Sequence, residues 1–353
     1  MKIILVAPTP PPAGGIASWT KRMLETDLLK EWEIEVVDTK IIGNRNVFAK
    51  EKKSFKVELK RLFSIWKDLW GKASFDDVKV VHSCIPAGKN SMIREIICMM
   101  IAKMKKKKFI IHYRCTVPNM VNDKFSLFLF NILNKKSDCI LVLNKESEEF
   151  VNIKYRHKVK LIPNFIETKS LHEGEKIINR RITKIVYVGG VTIEKGCEEI
   201  LEVAKKYPEK EFRLIGSVNE KISSLEKSPN VIFLGEKSKD FIKKELANAD
   251  LFLFLSYFYG EGFSNSLVEA MAMGIPCVVT DWAANKDMIE DKGGIVLPIK
   301  TPDKLFEAIK NLDLDIQTRQ KMSRWNLKKV KNEYIDKVVI RQYVDVYNEV
   351  IEQ

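Results

Sequence analysis

Residues 251–281 read LFLFLSYFYGEGFSNSLVEAMAMGIPCVVTD, and the pattern of this stretch indicates the fold class. Its first residues, Leu251–Leu255, are apolar on both faces and predict a short buried strand. A polar turn follows, and a helical pattern runs from about Ser264 to Met273, where a glycine and then a proline end it. A second buried strand is predicted at Cys277–Thr280. The order strand, helix, strand is typical of a parallel sheet with crossover helices.

The turn and the helix of this stretch carry two carboxylates, Glu261 and Glu269. The first N–H groups of a helix lack intrahelical partners, which favours a bound phosphate. Because a carboxylate repels phosphate, both side chains make sense as acceptors for hydroxyl groups beyond it, with Glu269 about 8 Å along the helix. A nucleotide sugar, with a diphosphate between two sugar rings, has this layout. The alternative is that Glu261 complements the helix dipole and Glu269 is solvated.

Composition places the chain among soluble globular proteins. Its 353 residues suffice for two domains, and 45% of them are hydrophobic and 30% charged. No stretch approaches the roughly 18 apolar residues of a membrane span, and the N-terminus lacks the apolar core of a signal peptide. We therefore expect a cytoplasmic protein. The six cysteines form no C-x-x-C pair and are expected to be reduced packing thiols, and the four scattered histidines argue against a zinc site.

Positive charge is concentrated in the first half of the chain. Residues 1–163 carry 31 Lys and Arg against 17 Asp and Glu, whereas residues 164–353 carry 29 against 30. This asymmetry suggests an anionic partner for the first half alone.

A basic amphipathic helix is predicted at Phe55–Trp70, with Lys52 and Lys53 just before it. Such a helix lies on an anionic membrane surface, and the run KMKKKK at Lys103–Lys108 adds a second cationic cluster. We therefore expect peripheral contact with the inner face of the cell membrane. The alternative is a helix that packs on its sheet with a solvated basic face. No nucleic-acid-binding module is recognised, so no nucleic acid is expected as a partner.

Strand and helix patterns alternate through both halves of the chain, which predicts parallel, doubly wound sheets. We predict an α/β protein of two Rossmann-like domains, 1–165 and 183–329, joined by a linker, 166–182. A helical pattern from Lys321 to Glu352 ends the chain. The predicted strands are Lys2–Ala7, Glu33–Asp38, Val78–His82, Phe109–His112, Cys139–Leu143, Val159–Ile162, Lys184–Val188, Phe212–Ile215, Val231–Leu234, Leu251–Leu255, Cys277–Thr280 and Ile295–Leu297.

Two glycine-rich turns follow predicted strands, at the sheet edge where open parallel sheets bind ligands. Gly14 and Gly15 precede a helix, and the turn GGVTIEKG, from Gly189 to Gly196, carries Lys195. Backbone N–H groups at such turns, together with a lysine, suit a phosphate. A plain loop explains Gly14-Gly15 equally well, and a tight turn with a solvated lysine is the alternative for the second turn.

His112 ends a predicted strand that reads IIHYR and is a candidate polar contact to a reacting sugar, with Arg114 as a neighbouring cation. A structural role at the strand end is the alternative. His82, which ends VKVVHS, has the same two readings with weaker support.

The segment EGFSNSLVEAMAMGIPCVVTD resembles the E-G-F-x-x-x-x-x-E-A-M-A-x-G-x-P-V-V signature of the glycosyl transferases group one family (family 4), which are retaining, two-domain enzymes of the GT-B fold. Other pieces follow in the family's order: Gly14-Gly15, VGGVTIEKG, VIFLGE, LFLFLS and GGIVLP. The resemblance implies two domains that face each other across a cleft, with a C-terminal helix, 330–353, that returns to the first domain.

The resemblance also implies the chemistry. A sugar would pass with retention from a nucleotide sugar, most commonly a UDP-sugar, to a lipid-linked saccharide in bacterial surface polysaccharide synthesis, without a metal or another cofactor. The first domain would bind the acceptor and the second the donor. Glu261 would contact the donor sugar, Glu269 the ribose, and Lys195 the diphosphate, while His112 matches the family's histidine near the sugar.

The catalytic residues implied are thus Glu261, His112 and Lys195. The donor-binding residues implied are Gly14, Gly15, Gly189, Gly190, Leu234, Gly235, Gly262, Phe263, Ser264, Asn265, Ser266, Leu267 and Glu269. Among these, the amides from Phe263 to Leu267 would hold the diphosphate, and Leu234-Gly235 would lie near the base.

One position departs from the family. Gly190 stands where members commonly carry an arginine, which removes one cation from the diphosphate site, and Arg114 is the candidate to replace it. Asp313 and Asp315 have the D-x-D form that some glycosyltransferases use to hold a metal, but their late position predicts surface-loop and cap residues. A nucleotide-sugar epimerase of the same fold and a catalytically silent, membrane-associated scaffold are the competing functions.

Overall fold

The computed structural model describes residues 1–11, 14–26, 32–40 and 55–353. The chain divides into two units. Unit 1 comprises Met1–Asn164 and Asp336–Gln353, and unit 2 comprises Phe165–Ile335. Lys52 and Lys53, which precede the predicted basic helix, lie outside the described residues.

Unit 1 is built on a six-stranded sheet in which every pairing is parallel, in the order β2-β1-β3-β4-β5-β6. The strands are β1 (Lys2–Ala7), β2 (Glu33–Asp38), β3 (Val78–Ile85), β4 (Lys108–Tyr113), β5 (Cys139–Val142) and β6 (Val159–Leu161). The helices are α1 (Gly15–Leu24), α2 (Phe55–Lys72), α3 (Lys89–Met104), α4 (Val117–Met120), α5 (Lys124–Lys136), α6 (Lys145–Tyr155) and the last helix of the chain, α14 (Asp336–Glu352).

The strands of unit 1 are apolar on both faces because helices cover both sides of the sheet. The hydrophobic core includes residues of β1, β3, β4 and β5 together with the inner faces of α2, α3 and α5. On the other side, Trp19 of α1 packs near Tyr343 of α14, with ring centroids 5.8 Å apart. The C-terminal helix thus completes unit 1, as the family resemblance implies.

Unit 2 repeats the architecture with a parallel sheet in the order β12-β11-β10-β7-β8-β9. Its strands are β7 (Lys184–Val188), β8 (Glu211–Ile215), β9 (Val231–Gly235), β10 (Leu251–Phe254), β11 (Cys277–Thr280) and β12 (Gly294–Leu297). Its helices are α7 (Cys197–Ala204), α8 (Glu220–Ser223), α9 (Lys239–Ala247), α10 (Asn265–Ala272), α11 (Asn285–Ile289), α12 (Pro302–Leu314) and α13 (Ile316–Glu333).

Residues 251–281 fold as their pattern predicts. Strand β10 is fully buried, Ser264 caps the N-terminus of α10, and Gly274 follows the helix in the left-handed conformation, φ 68°. A Cβ at Gly274 would also lie 2.9 Å from Ser323 Oγ of α13, so glycine is favoured there for two reasons.

The predicted final helix, Lys321–Glu352, is wrong as a single element. Helix α13 ends at Glu333 and α14 begins at Asp336. Between them the Tyr334 carbonyl accepts the Ile166 N–H at 2.9 Å, and Ile335 pairs with Ile166 in an isolated bridge. The break contains neither glycine nor proline. It is caused by the tertiary contact with Ile166, which overrides the local helical pattern.

The segment 166–182 packs within unit 2. Arg319, fully buried in α13, donates from Nη1 to the Asn179 carbonyl and from Nη2 to the Arg180 carbonyl, each at 2.8 Å. The Asn179 side chain donates to Asp250 Oδ1 at 2.7 Å. These bonds hold the segment against the strands it precedes.

The two aspartates of the D-x-D sequence serve the fold of unit 2. Asp313 accepts the Ile182 N–H at 2.6 Å and the Lys210 ammonium at 3.0 Å, and Asp315 caps α13 by accepting from Thr318 N. The cap interpretation of Asp315 is confirmed, whereas the surface-loop interpretation of Asp313 is wrong, because Asp313 lies in the last turn of α12 and its side chain is only 14% exposed.

All six cysteines are buried and free, which confirms the packing interpretation. In the part of the chain that the structure describes, no helix has the length and apolarity that a membrane crossing requires.

Candidate active site

Unit 2 brings Lys195 and Glu261 together at the carboxyl ends of two neighbouring strands. Lys195 follows β7, Glu261 follows β10, and these strands pair in the sheet. The Lys195 ammonium forms an ion pair with Glu261 Oε2, and Ser256 Oγ donates to the same oxygen at 3.1 Å. The side chains are 22% and 12% exposed, so the pair is half-buried and still reachable from solvent. The Lys195 ammonium also lies 4.9 Å from the centre of the Phe258 ring.

Gly196 allows the two loops to approach each other. It adopts a left-handed conformation, φ 74°, and a Cβ there would lie 2.4 Å from the Leu255 carbonyl oxygen. The Tyr257 N–H donates to the Glu194 carbonyl at 2.9 Å and ties the loops together. Any larger residue at 196 would push the lysine loop away from the loop that carries Glu261.

The backbone of the Gly189-Gly190 turn is fixed from two sides. The Gly189 N–H donates to the Ile215 carbonyl at 2.9 Å, and the Tyr187 hydroxyl donates to the Gly190 carbonyl at 2.8 Å. A Cβ at Gly216, the first residue after β8, would lie 1.9 Å from the Gly189 oxygen, so this position must also be glycine. These bonds place the turn beside β7 with its lysine directed towards β10.

The N-terminus of α10 is the third part of this site. Ser264 Oγ accepts the Leu267 N–H at 3.2 Å and lies 3.2 Å from Ser266 Oγ. Of the amides that the resemblance implies for a diphosphate, the amide of Leu267 is therefore engaged within the helix cap. The hydroxyls of Ser264 and Ser266 add polar groups at the same end.

Glu269 lies half-buried in α10, one helical turn beyond the cap. Leu234 and Gly235 end β9, the edge strand, which is separated from β7 by β8. The Gly235 carbonyl accepts the Gly216 N–H at 2.9 Å, so its turn is joined to the turn after β8. Unit 2 thus arranges its predicted residues along one edge of the sheet, over β10, β7, β8 and β9.

In unit 1, Gly14 and Gly15 begin α1. Gly14 has an extended φ of 179°, which any residue adopts, and a Cβ at Gly15 would meet nothing within 4 Å. The local backbone therefore requires glycine at neither position. The two residues before them, Pro12 and Ala13, lie outside the described residues.

A cavity of about 470 Å³ opens at the carboxyl ends of β1 and β3 in unit 1. Apolar and polar side chains share its wall; among them are Thr9, Ile16, Ala17, Leu62, Asn90 and Arg94. Arg61 also lines it and donates from Nη1 to the Thr39 carbonyl at 2.8 Å. The cavity begins beside Gly15, at the N-terminus of α1.

His112 is fully buried in β4, where both of its ring nitrogens are engaged. Arg114 Nη1 lies 3.2 Å from His112 Nε2, and His112 Nδ1 lies 3.2 Å from His82 Nε2. His82 Nδ1 lies 2.8 Å from the Tyr347 hydroxyl of α14. Because a guanidinium only donates, His112 Nε2 accepts, His112 Nδ1–H donates to His82, and His82 Nδ1–H donates to Tyr347. The two imidazoles and their end partners form one directed relay.

Burial and the Arg114 charge keep both imidazoles of the relay neutral. Burial, followed by Arg114, lowers the pKa of His82 to about 3 and that of His112 well below its usual value. Arg114 is itself engaged: it donates to Asn164 and stacks its guanidinium 4.4 Å from the Trp19 ring centre. In this arrangement Arg114 is committed within unit 1 rather than available to a phosphate.

Cys84 lies beside the two histidines, 3.7 Å from His82 Nε2 and 3.9 Å from His112 Nδ1. Two of the four histidines predicted to be scattered, His82 and His112, are therefore adjacent, with a thiol within reach of a common ion. The hydrogen bonds of the two histidines oppose a metal ion at this position. A metal on His112 Nδ1 would move its proton to Nε2, where it would face the N–H groups of Arg114, and burial raises the pKa of the Cys84 thiol to about 12.

Several partners in these sites left no sequence signal. Ser256, Tyr187, Tyr347 and Trp19 reach their positions through loop closure or helix packing. Among the partners of His112, His82 and Arg114 were predicted from the sequence, because each ends or follows an apolar run.

Residues 171–329 match the family model described as Glycosyl transferases group 1. Over 265 residues the chain is 24% identical to the N-acetylgalactosamine-N,N'-diacetylbacillosaminyl-diphospho-undecaprenol 4-alpha-N-acetylgalactosaminyltransferase of Campylobacter jejuni, which covers 69% of this chain and 70% of that protein. Across the curated relatives it matches, the aligned part spans from 43% to 71% of their length.

Two solved structures resemble the chain over its whole length. Sucrose-phosphate synthase from Thermosynechococcus elongatus superposes with a TM-score of 0.79 at 13% identity, over 99% of both chains. Anabaena HepE in complex with UDP-glucose superposes with a TM-score of 0.74 at 14% identity, over 99% of this chain and 100% of that one. The GT-B fold and the resemblance to group 1 glycosyltransferases are thereby confirmed.

Proposed function

We propose that this chain, whose residues 171–329 belong with the group 1 glycosyltransferases, transfers a sugar from a nucleotide sugar to a lipid-linked saccharide with retention of configuration. The observation that carries the proposal is the Lys195–Glu261 pair beside the N-terminus of α10. A cation, a carboxylate and helix amides at one sheet edge match a ligand that has a diphosphate next to hydroxyl groups.

In this proposal the bound donor replaces the Lys195–Glu261 ion pair, and each of the two side chains contacts a different group of the donor. The diphosphate takes the Lys195 ammonium and the first-turn amides of α10, while the hydroxyls of the donor sugar donate to Glu261. Ser256 keeps the carboxylate oriented through its 3.1 Å bond. As the bond between sugar and diphosphate breaks, negative charge grows on the leaving oxygen. Lys195 and the helix amides stabilise that charge where it develops.

The remaining roles follow the same chemistry. Glu269, farther along α10, accepts from the ribose hydroxyls, and the backbone near Leu234-Gly235 faces the base. Gly14 and Gly15 leave room for the donor to approach α1, since the fold of unit 1 does not itself require glycine there. His112 contacts the sugar only if its Nε2 gives up the hydrogen bond from Arg114 and accepts one from a sugar hydroxyl.

A UDP-sugar is the proposed donor, because HepE was solved with UDP-glucose. A lipid-linked saccharide is the proposed acceptor, because the Campylobacter jejuni relative carries diphospho-undecaprenol in its name. The 470 Å³ cavity of unit 1, with its mixed apolar and polar wall, is the proposed acceptor site.

The test is a panel of nucleotide sugars, first screened by thermal shift and then assayed for released nucleotide with and without an undecaprenyl-diphosphate-linked saccharide. We expect stabilisation by one UDP-sugar and nucleotide release that depends on the acceptor, with an α-linked product from an α-linked donor. Conversion of the donor without any acceptor would replace the proposal with an epimerase. Stabilisation by none of the nucleotide sugars would favour the silent scaffold.

A further inference from the structure

Helix α3 of unit 1 is apolar on two opposite faces. Its inner face contributes Met92, Cys98, Met99 and Ile101 to the core. On its outer face, Ile93, Met100 and Met104 are exposed, Met104 by 65%, and Ile97 between them is half-buried. Residues 93, 97, 100 and 104 follow helical spacing, so they form one continuous stripe. A helix that is apolar all round is normally covered on both sides.

A second set of exposed apolar residues lies on the neighbouring helix α5, which packs directly against α3. There Phe125, Leu127 and Phe128 are exposed in the first turn, Phe128 by 57%. We call the residues Ile93, Met100, Met104, Phe125, Leu127 and Phe128 the α3–α5 apolar surface. Adjacent exposed aromatic and aliphatic side chains on two packed helices mark an interaction site rather than scattered surface residues.

Basic residues surround this surface. Residues 89–108 and 124–136 carry ten Lys and Arg against a single acid, Glu95. Glu95 is buried and bonds Arg94, so it does not offset the charge outside. The nearby acids Asp123 and Asp138 pair with Lys89 and Lys103. The lysines at 105, 106 and 124 add to a positive rim around an apolar centre.

We propose that the α3–α5 apolar surface docks unit 1 onto a bilayer with anionic lipid headgroups. Aromatic and methionine side chains enter the interface while lysine ammonium groups remain at the level of the phosphates. A second copy of this chain would bring the same lysines face to face and repel, so the charge favours the lipid. The docking does not depend on sugar transfer, and it can be measured without any nucleotide sugar.

This assignment differs from the membrane helix predicted from the sequence. In α2, Ile65 and Leu69 are buried and Trp66 is half-buried against the core, so only part of its apolar pattern serves packing, whereas Leu59 and Phe63 remain exposed. Trp70 is exposed, and the Lys105 ammonium lies over one face of its ring, 4.0 Å from the ring centre. The cationic run Lys103–Lys108 belongs to the rim of the α3–α5 surface.

The experiment is sedimentation of the full chain with vesicles of equimolar phosphatidylglycerol and phosphatidylcholine at low salt, and with phosphatidylcholine alone. We expect binding to the anionic vesicles and little to the neutral ones. The variant M100E/F128E removes two apolar anchors and should weaken binding at least about tenfold. L314E, at an exposed leucine of unit 2, is the matched control and should bind as the wild type does.

Three results would overturn the proposal: no sedimentation with anionic vesicles, equal binding by M100E/F128E and wild type, or equal loss in L314E. A wild-type dimer in analytical ultracentrifugation that M100E/F128E makes monomeric, without vesicle binding by either, would assign the surface to a second copy instead. Both residues are exposed, so we expect an unchanged Tm for the variant. If its Tm falls, K106E/K124E at the rim repeats the test, and equal vesicle binding by that variant would also overturn the proposal.

Discussion

Lys195 in unit 2 and His112 in unit 1 were implied by one resemblance to serve the same donor, yet the two units hold them differently. Lys195 lies in a loop after β7, partly exposed, with one carboxylate partner. His112 lies within β4, fully buried, with both ring nitrogens bonded. The loop lysine is ready to exchange its partner for a ligand, whereas the strand histidine must first give up a bond in the core.

The difference follows from where each residue stands relative to the end of its strand. Strand β7 ends at Val188, and a glycine turn carries the chain away from the sheet before Lys195. Strand β4 continues to Tyr113, so His112 still faces a side of the sheet that α1 and α14 cover. A polar residue that lies beyond the end of a strand can reach a ligand. A polar residue that lies one position before that end is packed between the sheet and its helices.

The largest effect is expected at the unit 2 pair. Glu261→Gln or Lys195→Ala should lower turnover by at least about tenfold, because each removes a charge placed for the donor. Released nucleotide measures the rate, and circular dichroism checks the fold. Lys205→Ala, at an exposed lysine of the same unit, is the matched control and should keep full activity. Full activity of either site variant would remove the role assigned to that residue.

A smaller kinetic effect is expected at the start of α1. Gly15→Ala adds one methyl group where the fold leaves open space, so the Tm should stay unchanged. If the donor approaches this backbone, the KM for the donor should rise about tenfold, the cost of overpacking by a methyl group. Gly71→Ala, also with nothing near its Cβ, is the control. An unchanged KM in Gly15→Ala would return Gly14-Gly15 to a plain loop.

The fold was largely predictable because a strand that is buried on both faces has a nearly continuous apolar sequence. Each of the twelve strands that the structure describes has its predicted counterpart, and the main disagreement is that β3 runs on to Ile85. Ser83 and Cys84 interrupt the apolar run but are buried all the same. The Lys195 and Glu261 loops were also predictable, since each follows a strand and its residues are charged.

The relay in unit 1 was not predictable from single residues. It joins positions 82, 112 and 347, and no local pattern relates a tyrosine of the last helix to a strand near the start. The break at Tyr334-Ile335 has the same origin, because Ile166 makes it from a distance in sequence. Long-range contacts of this kind depend on packing, which periodicity does not encode.

The buried histidines should make unit 1 sensitive to acid. The ordinary pKa of histidine is 6.5, and in the folded chain the pKa of His82 is about 3. Below the unfolded value, the unfolded chain takes up a proton that the folded chain does not, so the free energy of unfolding falls by about 1.4 kcal/mol per pH unit for each such histidine. The loss runs from about pH 6.5 down to the folded pKa and is absent above this range.

His82→Asn should therefore flatten the dependence of unfolding free energy on pH by about one proton, measured by urea unfolding between about pH 6 and about pH 4. His157→Asn, at an exposed histidine, is the matched control. Equal slopes for wild type and His82→Asn would show that His82 takes up its proton in the folded chain, which would contradict the neutral relay.

A further effect on stability separates the two tyrosines of α14. Tyr347→Phe leaves the buried Nδ1–H of His82 without an acceptor and should cost about 1–3 kcal/mol of unfolding free energy. The Tyr343 hydroxyl is equally buried and faces Arg114 and Trp19, but it forms no hydrogen bond of normal geometry among the described residues, so Tyr343→Phe should cost less. Urea unfolding of both variants measures the difference. Equal costs would mean that the hydroxyl of Tyr347 does not end the relay, and that His112 is held by Arg114 and His82 alone.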